Sequence, residues 1–118
     1  MLVRRLLVPV DLSARSAHAL AYACELAAAS AAEVDVLYVI PGPGQLRSAV
    51  DGYLGRPLPH AAAGDVARAR HDLERIVQSV PHHGITPHVL VHSGDAAAVI
   101  VRTAAEAPDD LIVMSTRG

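Results

Sequence analysis

Three short polar stretches could do chemistry, and each follows an apolar run. Asp11-Leu12-Ser13 comes after Leu6–Val10, Ser93-Gly94-Asp95 after the run around Val89–Val91, and Ser115-Thr116-Arg117-Gly118 after Leu111–Met114. A carboxylate such as Asp11 can accept hydrogen bonds from ribose hydroxyls or from an adenine amine. Open backbone groups at Val39, just before Ile40-Pro41, could read a purine edge. A turn of small residues leading into a helix N-terminus suits phosphate oxygens, because free N–H groups and the helix dipole both face the anion. Each stretch also has a plainer use. Asp11 can cap the turn of the following helix, Asp95 reads as an N-cap, and Ser115 to Gly118 can be an ordinary turn.

Other chemistries find no support in the residue types. The chain contains no Lys. This removes a phosphate-binding G-x-x-x-x-G-K-[ST] loop, and also a receiver domain, whose acidic pocket needs a Lys opposite it. His88 and His92 share a strand face and His82 and His83 precede them, but no Cys partner or H-E-x-x-H completes a metal set, so they read as surface and turn histidines. Cys24, the single cysteine, falls on a helical apolar stripe and reads as a small core residue. No Ser/His/Asp grouping has the strand-turn-helix context of a nucleophile. The sequence carries no catalytic machinery.

The elements that must position these groups alternate. Leu6–Val10 is a short continuous apolar run, as expected of a strand buried on both faces. Residues 13–30 form a helix with Ser13 at its N-cap and Ala17, Leu20, Ala21, Cys24 and Ala28 inward. Residues 33–40 make a second strand, stopped by Pro-Gly-Pro-Gly. Residues 42–64 hold half of the Gly and Pro and read as an irregular excursion. A second helix runs from Asp65 to about Val80 with Val66, Ala69, Leu73, Ile76, Val77 and Val80 inward. The third strand, residues 85–92, has Pro87 near its start, a placement typical of an edge. A third helix over 93–107, capped by Ser93 or Asp95, turns Val99, Ile100 and Thr103 inward, and residues 109–115 form a fourth strand. Four strand–helix alternations predict one α/β domain over 1–118, an open, mostly parallel twisted sheet covered by helices on both faces. In such sheets ligands bind beyond the carboxyl ends of the strands, where the direction of winding reverses.

At 118 residues and 52% hydrophobic the chain can bury one modest core. With no Phe or Trp, that core rests on Val, Leu and Ile against Ala-rich helices. The net charge of -2, with both signs interspersed, offers no basic face for nucleic acid. A lone cysteine suits a reducing compartment. The apolar run after Arg4-Arg5 contains Pro9 and ends at Asp11, too short for a signal sequence, and no stretch reaches the roughly 18 apolar residues of a membrane span. The chain reads as a soluble cytoplasmic domain.

Four segments, in order, resemble the universal stress protein family. RRLLVPVDLSARSAHALAYACELA resembles its opening strand, V-P-x-D-x-S turn and first helix. VDVLYVI resembles its second strand, VHSGDAAAVIVRTA its G-D-x-x-x-x-I passage, and APDDLIVMSTRG its D-L-I-V-M-G-T-x-G run. The resemblance covers the chain apart from 42–64. It implies a Rossmann-like domain that binds ATP or another adenine nucleotide, with Mg as a companion ion. Such a domain is often a homodimer and works in stress response and signalling through a protein partner more than as a catalyst. Position by position, Asp11 would contact the nucleoside, Pro9 and Val10 would line its pocket, and Val39 would meet adenine through its backbone. Met114 would belong to the same site. Ser115 and Gly118 occupy the two glycines that open the phosphate motif. Ser115 adds a side chain where backbone should approach phosphate, although a small hydroxyl can fit. The rest of that motif, the last helix and the fifth strand do not follow Gly118. Family members run on by a turn-helix-strand unit of roughly thirty residues, so three explanations compete: an omitted tail, which is favoured, a truncation, or a short member that lost phosphate binding. Without that unit, strand four would be an open edge, exposing Leu111, Ile112 or Val113 to pairing with another chain. The rival reading is an interaction or dimerisation module of the same fold that binds no nucleotide. An adenylyl-transferring enzyme lacks its H-x-G-H or S-G-G-x-x-S sequence here.

Overall fold

The computed structural model describes residues 3–41, 63–106 and 111–115. Residues 42–62, where most of the irregular excursion was expected, lie outside the described residues, as do Thr116, Arg117 and Gly118. Seven elements alternate: β1 (Arg5–Val10), α1 (Ala14–Ser30), β2 (Glu33–Pro41), α2 (Ala63–Gln78), β3 (His88–Gly94), α3 (Ala96–Glu106) and β4 (Leu111–Ile112). The strands form one parallel sheet in the order β3-β2-β1-β4. β1 to β2 to β3 steps one way across the sheet, and β4 returns to the far side of β1. The winding therefore reverses at β1, with the switch point between β1 and β4.

Successive side chains of a strand point to opposite faces, so the unbroken apolar runs of β1 and β2 serve two cores. Leu6, Val8 and Val10 of β1 and Val34 and Val36 of β2 pack with Leu20, Ala23, Cys24 and Ala27 of α1 and Leu73 and Val77 of α2. Leu7, Leu37 and Val39 face the other way, onto Val99 of α3, with Leu90, Ile100 and Ala104 partly buried around them. Helices thus cover both faces, as the alternation predicted. β3 is an edge of the described sheet and begins directly after Pro87, whose missing N–H costs no ladder bond there.

Three local readings are corrected. The buried stripe of α1 is Ser16, Ala19, Leu20, Ala23, Cys24 and Ala27. Leu20 and Cys24 stand as expected, but Ala28 is exposed and Ala17 and Ala21 are only half-buried. With Ala on every side, hydrophobicity cannot set the helix phase. Val66, expected inward, is 36% exposed near the start of α2. Ser93 lies within β3, paired with Ile40, so the cap of α3 falls to Asp95, whose Oδ2 accepts from the Ala98 N–H at 2.9 Å.

α1 ends without Gly or Asn. Ala31 takes the left-handed conformation instead (φ 52°, ψ 40°), and the Ala32 N–H closes on the Ala27 carbonyl at 2.9 Å. At the opposite end of the sheet from the switch point, Asp35 is buried on β2. Arg5 pairs with it at 3.5 Å and also pairs with Glu33, whose carboxyl is held below its usual range chiefly by that Arg5 contact. Cys24 is free and buried, and burial pushes its thiol pKa up.

Candidate functional site

A cavity of about 240 Å³ opens at the carboxyl ends of β1 and β2. Pro9, Val10 and Asp11 come from β1 and its turn, Leu37, Tyr38, Val39 and Pro41 from β2, and Ala96 and Ile100 from the first turns of α3. Four of the residues singled out in the sequence, Pro9, Val10, Asp11 and Val39, therefore meet in one place. The register explains why: Pro9 pairs with Leu37 and Val10 with Tyr38, which sets Val39 level with Asp11. The lining is apolar except for Asp11, the one ionisable group besides the Tyr38 phenol. The volume is below the roughly 300–1,000 Å³ of complete small-molecule sites, so it suits part of a ligand.

Asp11 is exposed, and its carboxylate is held from one side. Oδ1 accepts from the Ser13 N–H at 3.0 Å and from the Ser16 hydroxyl at 2.7 Å, while the Asp11 N–H donates to Ser16 Oγ at 2.9 Å. Among the described residues Oδ2 has no partner. The bonds from Ser13 and then Ser16 favour the charged form and lower the Asp11 pKa to about 2. The capping use of Asp11 is thus present in the structure, on one oxygen only. The turn is tight: Leu12 between Asp11 and Ser13 has φ 66°, a left-handed conformation that a branched side chain adopts only when its surroundings impose it.

Ser13 sits at the N-cap of α1, but its side chain makes no capping bond. Its Oγ is buried without a partner among the described residues. The Asp11 carboxylate takes over, reaching the helix start from two residues upstream. Sequence reasoning missed Ser16. The signal available was a Ser three residues after Ser13, on the first turn of a helix whose other inward residues are mostly Ala.

Met114 and Ser115 lie elsewhere. They line a second cleft, of about 460 Å³, with Val113 on one wall and Arg15, His18, Ala19 and Tyr22 of α1 on the other. The two clefts flank the switch point, and Gly118 lies outside the described residues. β4 pairs with β1 through Leu111 and Ile112, and the Val113 N–H adds a bond to the Leu7 carbonyl at 2.9 Å. Leu111 (40%), Ile112 (42%) and Met114 (56%) are exposed there, while Val113 is half-buried against the α1 core. Among the described residues no group of three His, Cys, Asp or Glu side chains could hold a metal, and no helix is long and apolar enough to cross a membrane. His88 and His92 are exposed on the edge strand.

The parallel α/β order agrees with the comparison across proteins. The sequence pattern of the universal stress protein family matches residues 3–118. This chain belongs to the universal stress protein family. Among solved structures it is similar to a universal stress protein family member from Burkholderia pseudomallei, at 25% identity and a TM-score of 0.68 over 97% of this chain and 82% of that one. The universal stress protein of Archaeoglobus fulgidus in complex with dAMP is 25% identical, with a TM-score of 0.67 over the same shares. A universal stress protein in complex with cAMP is 20% identical, with a TM-score of 0.60 over 95% of this chain and 71% of that one. No curated protein matches the chain.

Proposed function

We propose that this universal stress protein binds an adenine nucleotide, ATP being the fullest form. The nucleoside would lie in the cavity of Pro9, Val10, Asp11 and Val39, and the phosphates would run toward Met114 and Ser115 after β4, with Gly118, outside the described residues, completing the motif in sequence. The observation that supports this most is the single charged acceptor, Asp11, on an otherwise apolar cavity wall at the carboxyl ends of β1 and β2, beside the switch point. An apolar slot takes a flat base, and one carboxylate oxygen with no partner among the described residues takes hydroxyl or amine donors. The Archaeoglobus fulgidus relative, in complex with dAMP, supports the same ligand class. Mg would travel with the phosphates. In this reading the protein works in the cytoplasm in stress response or signalling, with at most weak hydrolysis of the nucleotide, and the bound nucleotide biases a surface read by a second copy or a protein partner.

A second reading has its own observation. Leu111, Ile112 and Met114 are exposed along β4, at the other edge of the described sheet. Apolar side chains on an edge strand favour pairing with another chain, including a homodimer, with no nucleotide involved.

Calorimetric titration of the wild-type chain and of Asp11→Ala with adenosine and with ATP separates them. Loss of charge-assisted bonds should weaken binding by roughly 1.5–3 kcal/mol. No binding of either ligand to the wild type sinks the nucleotide reading and leaves the interaction module. Native mass spectrometry of the same sample reports any retained nucleotide and the number of subunits.

A further inference from the structure

Among the buried residues of α1, Ser16 is the exception. The others are Ala19, Leu20, Ala23, Cys24 and Ala27, and Ser16 is only 1% exposed. An Ala would fill that place as well, so the hydroxyl needs a reason, since a buried hydroxyl costs free energy unless it is bonded. Its bonds are a reciprocal pair with one residue: it accepts from the Asp11 N–H at 2.9 Å and donates to Asp11 Oδ1 at 2.7 Å.

We propose that Ser16 is a positioning residue of the nucleoside site. Its hydroxyl holds the Asp11 carboxylate in one orientation, with Oδ1 turned to the start of α1 and Oδ2 left for the hydroxyls or amine of a ligand. The proposal rests on the nucleotide reading above and adds to it how the ligating group is prepared.

The geometry carries this. The carboxylate of an exposed Asp rotates freely unless something holds it. Here two donors, the Ser13 N–H at 3.0 Å and the Ser16 hydroxyl, converge on a single oxygen. Ser16 is anchored by burial, and the Asp11 N–H locks the same hydroxyl from the backbone side, so the acceptor is ordered when the chain folds. A ligand then meets a fixed oxygen and no rotor has to be immobilised on binding. Ser13 first, and the Ser16 hydroxyl next, keep the group charged down to a pH near 2, which makes it a strong acceptor at any working pH.

The test uses Ser16→Ala and, should the Ala variant fold poorly, Ser16→Cys, which keeps the volume but bonds weakly. Two readouts are taken. Carboxyl NMR titration of Asp11 without ligand should show its midpoint rising from about 2 toward 3.8 in the variant. Adenosine affinity should fall about tenfold near neutral pH, the scale of one lost ordering contact, and should fall further on acidification in the variant before it does in the wild type. An unmoved Asp11 midpoint overturns the proposal. So does a moved midpoint with wild-type adenosine affinity. If Asp11→Ala loses adenosine while Ser16→Ala keeps it, the nucleotide reading stands and the Ser16 role falls. If the wild type takes no adenosine, both fall.

Discussion

Asp11→Asn tests whether the charge at the switch point also holds the start of α1. The carboxylate is lowered from the ordinary 3.8 to about 2 by donors from Ser13 and Ser16. At about 1.4 kcal/mol per tenfold step, that drop sets a ceiling of roughly 2.5 kcal/mol on the stability it contributes. Asp11 is exposed to solvent, so screening reduces the working figure to about 1 kcal/mol. The sign follows from the lowered pKa. The contribution is complete above 3.8 and is lost as the pH falls through about 2, where the folded-state carboxylate takes up its proton. Asn keeps the size and one acceptor oxygen but not the charge. Near neutral pH the variant should melt about 4 °C below the wild type. That gap should narrow steadily below about pH 4, as the wild type loses what the variant never had. Thermal unfolding followed by circular dichroism across this range reads both curves. A gap that stays constant down to about pH 3, or widens, would refute the reasoning, because no linked proton would then separate the two chains.

Two further outcomes rest on backbone geometry. Ala31→Gly should raise stability by about 1 kcal/mol, since Ala31 closes α1 in a left-handed conformation that glycine adopts without strain. Urea unfolding with an unchanged midpoint would show that the strain is not there to be relieved. Gly94→Ala should cost about 1–3 kcal/mol. Its φ is +138°, and an added Cβ would sit 3.3 Å from Val99 Cγ2 in the core beneath α3. A variant as stable as the wild type in the same assay would mean that β3 can end in another conformation.

Much of the fold was legible because strand and helix differ in the period of their apolar residues. The runs at Leu6–Val10 and 33–40 are too short and too continuous for anything but buried strands, and their boundaries agree with the structure to within a residue. The helix phase of α1 was not legible. Ala17, Ala21 and Ala28 are as apolar as Ala19, Ala23 and Ala27, so only contact with the sheet decides which set is buried. The N-cap of α1 falls at Ser13, as its residue type predicted, but its bonding was not legible. Ser13 has the right residue type and the right position, yet the carboxylate two residues earlier reaches the helix start in its stead, because Leu12 turns through a left-handed conformation that nothing in its side chain announces.

The same division holds for the site. Residue type and spacing alone determined that Asp11 follows a buried strand and that no Lys competes with it, and the resemblance to the family placed it in the turn motif. Those are properties of neighbours along the chain. Only the tertiary structure decided that Pro9, Val10, Asp11 and Val39 share one cavity while Met114 and Ser115 line another. It also decided that the carboxylate serves the helix with one oxygen and leaves the second without a described partner. Strand register and sheet order set which residues meet across the switch point. Both come from packing two faces of one sheet at once, a constraint that no local stretch of sequence contains.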